Sequence, residues 1–178
     1  MGTFELQPHL VGDLVELRPL RPDDWAALYQ AGSDPLIWTL HPSHNRYQEA
    51  VFREYFQGAL DSRGAFAVID RKTNEIIGST RYCDYKPEES VIEIGWTFLT
   101  RPYWGGVYNG EMKRLMLDHA FKFVDRVVFL IGPNNLRSRR AVEKIGAVYI
   151  GTRTRPDAGG GPAESVVYEL RRPGSHPN

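Results

Sequence analysis

One stretch limits the folds open to this chain more than any other. A β-branched and aromatic run, Val91-Ile92-Glu93-Ile94-Gly95-Trp96-Thr97-Phe98-Leu99, leads through Arg101-Pro102-Tyr103-Trp104-Gly105-Gly106-Val107-Tyr108-Asn109-Gly110 into a helical pattern. The apolar residues of that pattern, Met112, Leu115, Met116, Ala120 and Phe123, keep the i, i+3, i+4 spacing of a buried face. Strand, glycine-containing loop, helix start: this order leaves backbone N–H groups free at the positive end of a helix dipole. Such a cradle suits a phosphate or pyrophosphate.

The remaining elements arrange themselves around that unit. Residues 1–12 read as a lead-in. Leu14 to Leu20 alternates as a half-buried strand would, and Pro22-Asp23-Asp24 opens a helix that Gly32-Ser33-Asp34-Pro35 stops. Leu36 to Arg46 is an irregular loop, and Gln48 to Leu60 is helical in pattern. Ala65–Ile69, Glu75–Tyr85 and Val91–Leu99 are then three strands joined by short polar turns, which predicts antiparallel pairing. Arg126–Gly132 follows the central helix as a short buried strand, so a βαβ crossover with locally parallel pairing is expected.

Pro133-Asn134-Asn135 opens a last helix, Leu136 to Ile145, ended by Gly146. Ala147–Thr154 and Ser165–Leu170 close the sheet around a flexible loop, Pro156–Pro162, and residues 173–178 form a loose tail. The sum is a single domain over 1–178 of α+β (mixed α/β) class, with about seven strands and four helices.

At 178 residues the chain can bury a sizeable core. Lys plus Arg balance Asp plus Glu at 22 each, which argues against a general nucleic-acid binder. The single cysteine, Cys83, excludes an internal disulfide, and five histidines show no metal-ligand spacing, so no metal is expected. No signal peptide and no apolar run of about 20 residues is evident, so the expectation is a soluble cytoplasmic protein with no membrane partner. No P-loop sequence is present.

Two segments share the carboxyl ends of neighbouring strands, where α/β sheets place ligands. They are Trp104–Glu111 and Asn134–Ala147. Together they resemble the cofactor-binding core of the GNAT superfamily of acyl-CoA-dependent N-acyltransferases, most of all the branch that acetylates ribosomal-protein N-termini and small amines. That branch shows an E-I-G-[YW] strand, a Y-W-G-x-G-[YF]-[AG]-x-E loop and an N-x-x-S followed by E-K-x-G. This chain has Glu93-Ile94-Gly95-Trp96, Tyr103-Trp104-Gly105, Glu111, Asn135-Leu136-Arg137-Ser138 and Glu143-Lys144-Ile145-Gly146. The Arg18–Asp24 opening resembles the family's first strand and helix entry, so the similarity runs from about residue 14 to 171. Val107 and Asn109 depart from the family's loop, standing where it has its second glycine and its final Gly or Ala. Val at a positive-φ site is strained and Asn tolerates it better, so a remodelled loop and altered cofactor affinity are expected.

The resemblance implies a mixed, mostly antiparallel sheet with central strands splayed for acyl-CoA, and acetyl-CoA as co-substrate. It implies that backbone around Trp104, Gly105, Gly106, Val107, Tyr108, Asn109 and Gly110 holds the pyrophosphate, the amides of Val107 to Gly110 above all. Pantetheine would pair with the strand end at Phe98 and Leu99, and Asn135 and Ser138 would face the pantetheine and its sulfur end; a plain helix N-cap is the competing role for Asn135, and an ordinary first-turn serine for Ser138. Acyl transfer to an amine needs a base, and Glu93 is the candidate, set against a reading as a solvated strand face. The departing thiolate needs a donor. Many relatives use a Tyr seven positions after the motif Asn, which is Val142 here; that leaves Ser138, with Tyr108 and Tyr149 behind it.

Trp38, His41, Tyr82 and Tyr85 are candidate acceptor-pocket residues, with aromatic core packing as the alternative. Arg137, Arg139, Arg140 and Lys144 either meet the 3′-phosphate of CoA or form a solvated basic face, and His119 reads as structural. The expected activity is acetyl transfer from acetyl-CoA to a primary amine, a protein N-terminus or a small molecule, directly within a ternary complex. A non-catalytic acyl-CoA-binding or regulatory domain on the same fold is the rival. The sequence leaves the acceptor unnamed, and with it whether the chain works alone or as a homodimer.

Overall fold

The computed structural model describes residues 2–156 and 161–175. Eight strands form one open sheet in the order β1-β2-β3-β4-β5-β6-β8-β7. These are β1 (Leu10–Val11), β2 (Val15–Pro19), β3 (Ala65–Asp70), β4 (Ile76–Lys86), β5 (Val91–Leu99), β6 (Arg126–Ile131), β7 (Val148–Pro156) and β8 (Pro162–Arg171). Every neighbouring pair is antiparallel except β5 with β6, the crossover that spacing predicts. Four helices, α1 (Trp25–Gly32), α2 (Glu49–Ser62), α3 (Val107–Ala120) and α4 (Leu136–Lys144), complete the mixed α/β domain.

Alternation along the strands creates two cores. In β3, Phe66 and Val68 enter one core with Ile92, Ile94, Met112 and Met116, beneath α3. Ala65 and Ala67 enter the other, with Leu28 of α1 and Phe52, Tyr55 and Phe56 of α2. The two faces of the sheet are thus covered by different helices, and a side chain's phase in its strand decides which it meets. Gly78 of β4 is required by a close approach: a Cβ there would lie 2.0 Å from the Phe98 carbonyl oxygen of β5.

The eighth strand lies in the expected lead-in, which proves to be part of the core. Phe4 is buried, the Gln7 side chain donates to the Ala65 carbonyl at 2.9 Å, and β1 pairs with β2. The remainder of the expected 156–162 loop and tail falls partly outside the described residues, at 157–160 and 176–178.

What ties this N-terminal segment down is Glu111 of α3. Its carboxylate accepts from the amides of Asp13 (2.8 Å), Leu14 (2.7 Å) and Val15 (2.8 Å), bridging about a hundred residues of chain. Gly12 packs so closely that a Cβ would lie 2.5 Å from the carboxyl carbon. Burial alone would raise the Glu111 pKa, but the three amides and Arg114 outweigh it and hold the group below the usual carboxylate range.

A depressed folded pKa means that this stabilisation is complete above the ordinary glutamate value and is lost as pH falls through the folded one. Glu111→Gln should therefore cost about 2–3 kcal/mol at pH 7, the scale of hydrogen bonds to a charged group. Urea titrations at pH 7 and below pH 4 should show that deficit shrinking in acid. A deficit independent of pH would assign the effect to packing.

Candidate active site

The site begins where β5 parts from β6. The two strands pair over three positions only, Val91 with Arg126, Ile92 with Val127 and Glu93 with Val128. Beyond Glu93 a bulge turns β5 away: Arg81 of β4 faces Gly95 while Ser79 faces Phe98, so two steps on β4 match three on β5. Trp96 takes the strain at φ 55°. Phe129 to Ile131 stay with β8, so the strands open into a V with Glu93 at its base. Phe98 and Leu99 send their side chains into opposite cores, leaving only their backbone to face the opening.

At the mouth of the V sits the start of α3. The Trp104 indole N–H donates to the Leu99 carbonyl at 2.9 Å, which anchors the loop to the strand. Gly105 and Gly106 take φ of 110° and 108°, a region that L side chains rarely adopt, and a Cβ on either would meet no atom within 4 Å. The positive φ thus falls on the two glycines, while Val107 begins the helix and points outward, 69% exposed. The strain expected at Val107 and Asn109 does not arise, because both have helical backbone. Gly110 departs from expectation in another way: its amide donates to the Gly106 carbonyl at 2.7 Å as the first helical bond, so the free amides end at Asn109. Open space in front of unpaired amides at a helix N-terminus fits a pyrophosphate.

The α4 start closes the same mouth. Asn135 is its N-cap, accepting from the Ser138 amide at 3.4 Å, and is buried. The capping role is therefore real. Ser138 is half-buried in the first turn, and among the described residues no protein group bonds its hydroxyl. Arg137 stacks on the Trp104 ring at 3.6 Å and donates to the Ile37 carbonyl at 3.0 Å, so it fastens three segments together. Arg139 bonds the Pro133 carbonyl and the Tyr168 hydroxyl, while Arg140 and Lys144 are exposed. Tyr108 packs edge-on against Tyr103, and Tyr149 is half-exposed on β7 against Tyr168.

Glu93 is no solvated strand residue. It is 1% exposed, and Arg155 grips both of its oxygens, at 2.7 and 3.0 Å. Arg155 comes from the end of β7, opposite Ala163 of β8. Burial works against the Arg155 charge but Glu93 outweighs it, and the guanidinium is held above its ordinary range. Cys83, opposite Glu93 on β4, has its thiol pKa pushed up by burial and by the carboxylate.

The proposed acceptor residues divide between the two faces. Trp38 lies on the Phe98 side, but it is 1% exposed and its indole N–H donates to the Gly32 carbonyl at 2.8 Å, so it packs the core. His41 stacks edge-on against Trp38, and its Nδ1 accepts from the Ser43 amide. Burial, then Arg46 and Arg137, lower its pKa to about 3 and keep it neutral. Tyr82 and Tyr85 must be corrected: both lie on the α3 face with Phe4, and the Tyr82 hydroxyl bonds the Met116 carbonyl. The sheet separates them from Glu93. His119 is structural, bonded to the Glu5 carbonyl at 2.8 Å. Among the described residues no group of three or more His, Cys, Asp or Glu could hold a metal, and no helix is long and apolar enough to cross a membrane.

The sequence profile of the acetyltransferase (GNAT) domain matches residues 15–148, three quarters of the chain. The chain belongs to the GNAT acetyltransferase family. Among solved structures, one assigned as an acetyltransferase from T. thermophilus is 30% identical, with TM-score 0.76, covering 96% of this chain and 92% of that one. A GCN5-related N-acetyltransferase from Brucella melitensis (22% identity, TM-score 0.77, covering 93% and 79%) shares the fold. So does the ribosomal-protein-S5-alanine acetyltransferase from Vibrio fischeri (16%, 0.68, covering 96% and 100%). No curated protein matches in sequence.

One group in this GNAT acetyltransferase escaped sequence reasoning because it lies inside a helix pattern. Lys113 of α3 is 5% exposed, beneath the V. Its ammonium donates to Thr97 Oγ1 of β5 at 3.1 Å and lies 5.5 Å from the centre of the Phe129 ring of β6. Burial lowers its pKa from 10.5 to about 7. Between those values the unfolded chain binds one more proton than the folded one, so stability should rise with pH by up to about 1.4 kcal/mol per unit. Lys113→Met should remove that slope, leaving the variant relatively more stable at pH 7 than at pH 10. Equal slopes in the two proteins would show that the lysine keeps its ordinary pKa.

Proposed function

We propose that this protein transfers an acetyl group from acetyl-CoA to a primary amine, directly, with both substrates bound at once. The observation that supports this best is the coincidence of two features at one end of the sheet. The opened β5–β6 edge offers unpaired strand backbone at Ile94–Leu99, and the free amides of Val107, Tyr108 and Asn109 stand at its mouth. Acetyl-CoA supplies the activated acyl group. The Phe98 and Leu99 backbone would align its pantetheine arm, and the amides after Gly106 would hold its pyrophosphate.

Glu93 at the base of the V is the base. In the free protein Arg155 occupies it, and the Arg155 side chain is 38% exposed near a hairpin tip. An incoming ammonium can replace one cation by another at a carboxylate that remains paired throughout, after which Glu93, directly or through a water, accepts the amine proton. Ser138 at the start of α4, whose hydroxyl has no protein partner among the described residues, would donate toward the leaving sulfur.

The test is release of free CoA thiol that requires an added amine. Glu93→Gln should lower kcat about 100-fold or more, the range for loss of a general base, and Ser138→Ala less. Glu93→Gln should leave acetyl-CoA affinity near that of the natural protein by calorimetry. Tight acetyl-CoA binding without turnover of any amine would make this an acyl-CoA-binding module instead. No binding at all would remove both readings.

A further inference from the structure

Beside Glu93, on the same face of the sheet, lie two buried arginines that make no salt bridge among the described residues. Arg46, from the loop before α2, and Arg81 of β4 are each 6% exposed. The Arg46 guanidinium lies 4.7 Å from the Tyr55 ring centre and 5.3 Å from that of Trp38, and Arg81 lies 4.4 Å from that of Trp96. Their hydrogen bonds are few. Arg46 Nη2 donates to Ser43 Oγ at 3.1 Å, Arg81 Nη1 reaches the Gly58 carbonyl at 3.4 Å, and Arg81 Nη2 is buried with no partner. Among the described residues neither guanidinium makes a salt bridge, and the acid beside them, Glu93, has both oxygens bonded to Arg155.

This arrangement is costly unless something else completes it. A guanidinium carries five donors, and burying it unpaired is strongly unfavourable. Aromatic faces recover part of that through cation–π attraction, but they accept no hydrogen bond of carboxylate strength. Burial also lowers the pKa of both groups, Arg46 to about 10, and in Arg46 the neighbouring Arg81 adds to the effect. The pair therefore forms a buried cationic patch whose chemistry suits an anion.

Its location tells which anion. Arg81 stands opposite Gly95, where β5 begins to leave β6, and the Tyr55 hydroxyl bonds the Trp96 carbonyl at 2.7 Å on the bulge itself. Trp96 covers Arg81 while remaining 42% exposed. The α3 loop that suits the pyrophosphate stands at the opposite, open end of the V, so this site belongs to the acceptor. We propose that Arg46 and Arg81 bind a carboxylate of the acceptor, which makes the substrate an amine bearing a carboxylate, an amino acid or a peptide with an acidic residue at its N-terminus. A carboxylate offers two oxygens that match the paired N–H donors of a guanidinium fork.

This rests on the reading of the site as an amine acetyltransferase, and binding separates the two. Quenching of tryptophan fluorescence by N-acetylglycine, a product-like carboxylate that cannot be acetylated, should saturate in the natural protein and weaken at least 10-fold in Arg81→Met and Arg46→Met. Arg81→Lys, which keeps the charge and guards against misfolding, should retain intermediate affinity. Methyl phosphate should compete poorly. In turnover assays an amino acid should be preferred over its amide by at least 10-fold, and peptides beginning in Asp or Glu over their Asn and Gln counterparts if the peptide is the source. In Arg81→Met that preference ratio should fall toward one. Equal use of acid and amide, tighter methyl phosphate binding, or carboxylate quenching unchanged in folded Arg81→Met would overturn the assignment. Saturable carboxylate binding without turnover of any amine would uphold the subsite while the acetyltransferase reading fails.

Discussion

The pairing of β5 with β6 stops after Glu93, and much of the carboxyl end of the sheet follows from that interruption. Two parallel strands that stayed in register would consume each other's backbone groups and leave no opening. The extra residue in β5 at the bulge, with Trp96 in the left-handed region, rotates the strand away while β4 continues to hold it on the other side. The β5 backbone groups that β6 leaves unpaired are open to water or to another extended chain. Around this opening the structure is tightly fixed. Trp104 holds the loop to Leu99, Arg137 clamps Trp104 and Ile37, and Pro42 packs so closely on Gly132 that a Cβ there would lie 2.4 Å from its ring. A gap with rigid walls is what a cleft for an extended substrate requires.

Much of this was legible in the sequence because it depends on local pattern. Val91–Leu99 emerges with the bounds that β-branched spacing predicts, and the crossover to a parallel neighbour follows from a single intervening helix. Glycines at 105 and 106 are the residues that turn the chain into α3, although spacing could not tell that Val107 would already be helical. Glu93 was found by its phase against Ile92 and Ile94. The partner of Glu93 was not, since Arg155 lies 62 residues away on β7 and meets it only through tertiary structure.

The same limit explains the misplaced tyrosines. Tyr82 and Cys83 are adjacent in β4, so one of them must share the Glu93 face and the other must oppose it. The choice depends on register across the β4–β5 pair, where Cys83 faces Glu93, and no local signal encodes register around a bulge. Strand β1 went unseen for a simpler reason: two residues are too few to show alternation, and they are held by pairing with β2, next to the turn that the remote Glu111 carboxylate fixes. Arg46, Arg81 and Lys113 are likewise ordinary surface residue types by composition. Only burial makes them chemically distinctive.

These buried charges are connected. On the acceptor face His41 is kept neutral by burial beside Arg46 and Arg137, and Glu93 is the acid among Arg46, Arg81 and Arg155. With one carboxylate against three guanidinia, the region carries an excess of positive charge inside low-dielectric surroundings, although the whole chain is neutral. An amine approaches such a site as a cation, which the surplus repels, unless it brings its own negative charge or displaces one of the arginines. The mobile candidate is Arg155, the more exposed of the three and the one on a hairpin arm. Arg46 and Arg81 are buried against aromatic rings. On the proposed reading the arrangement would suit an acceptor carrying both charges: its ammonium would take the place of Arg155 at Glu93, and its anion would meet Arg46 and Arg81.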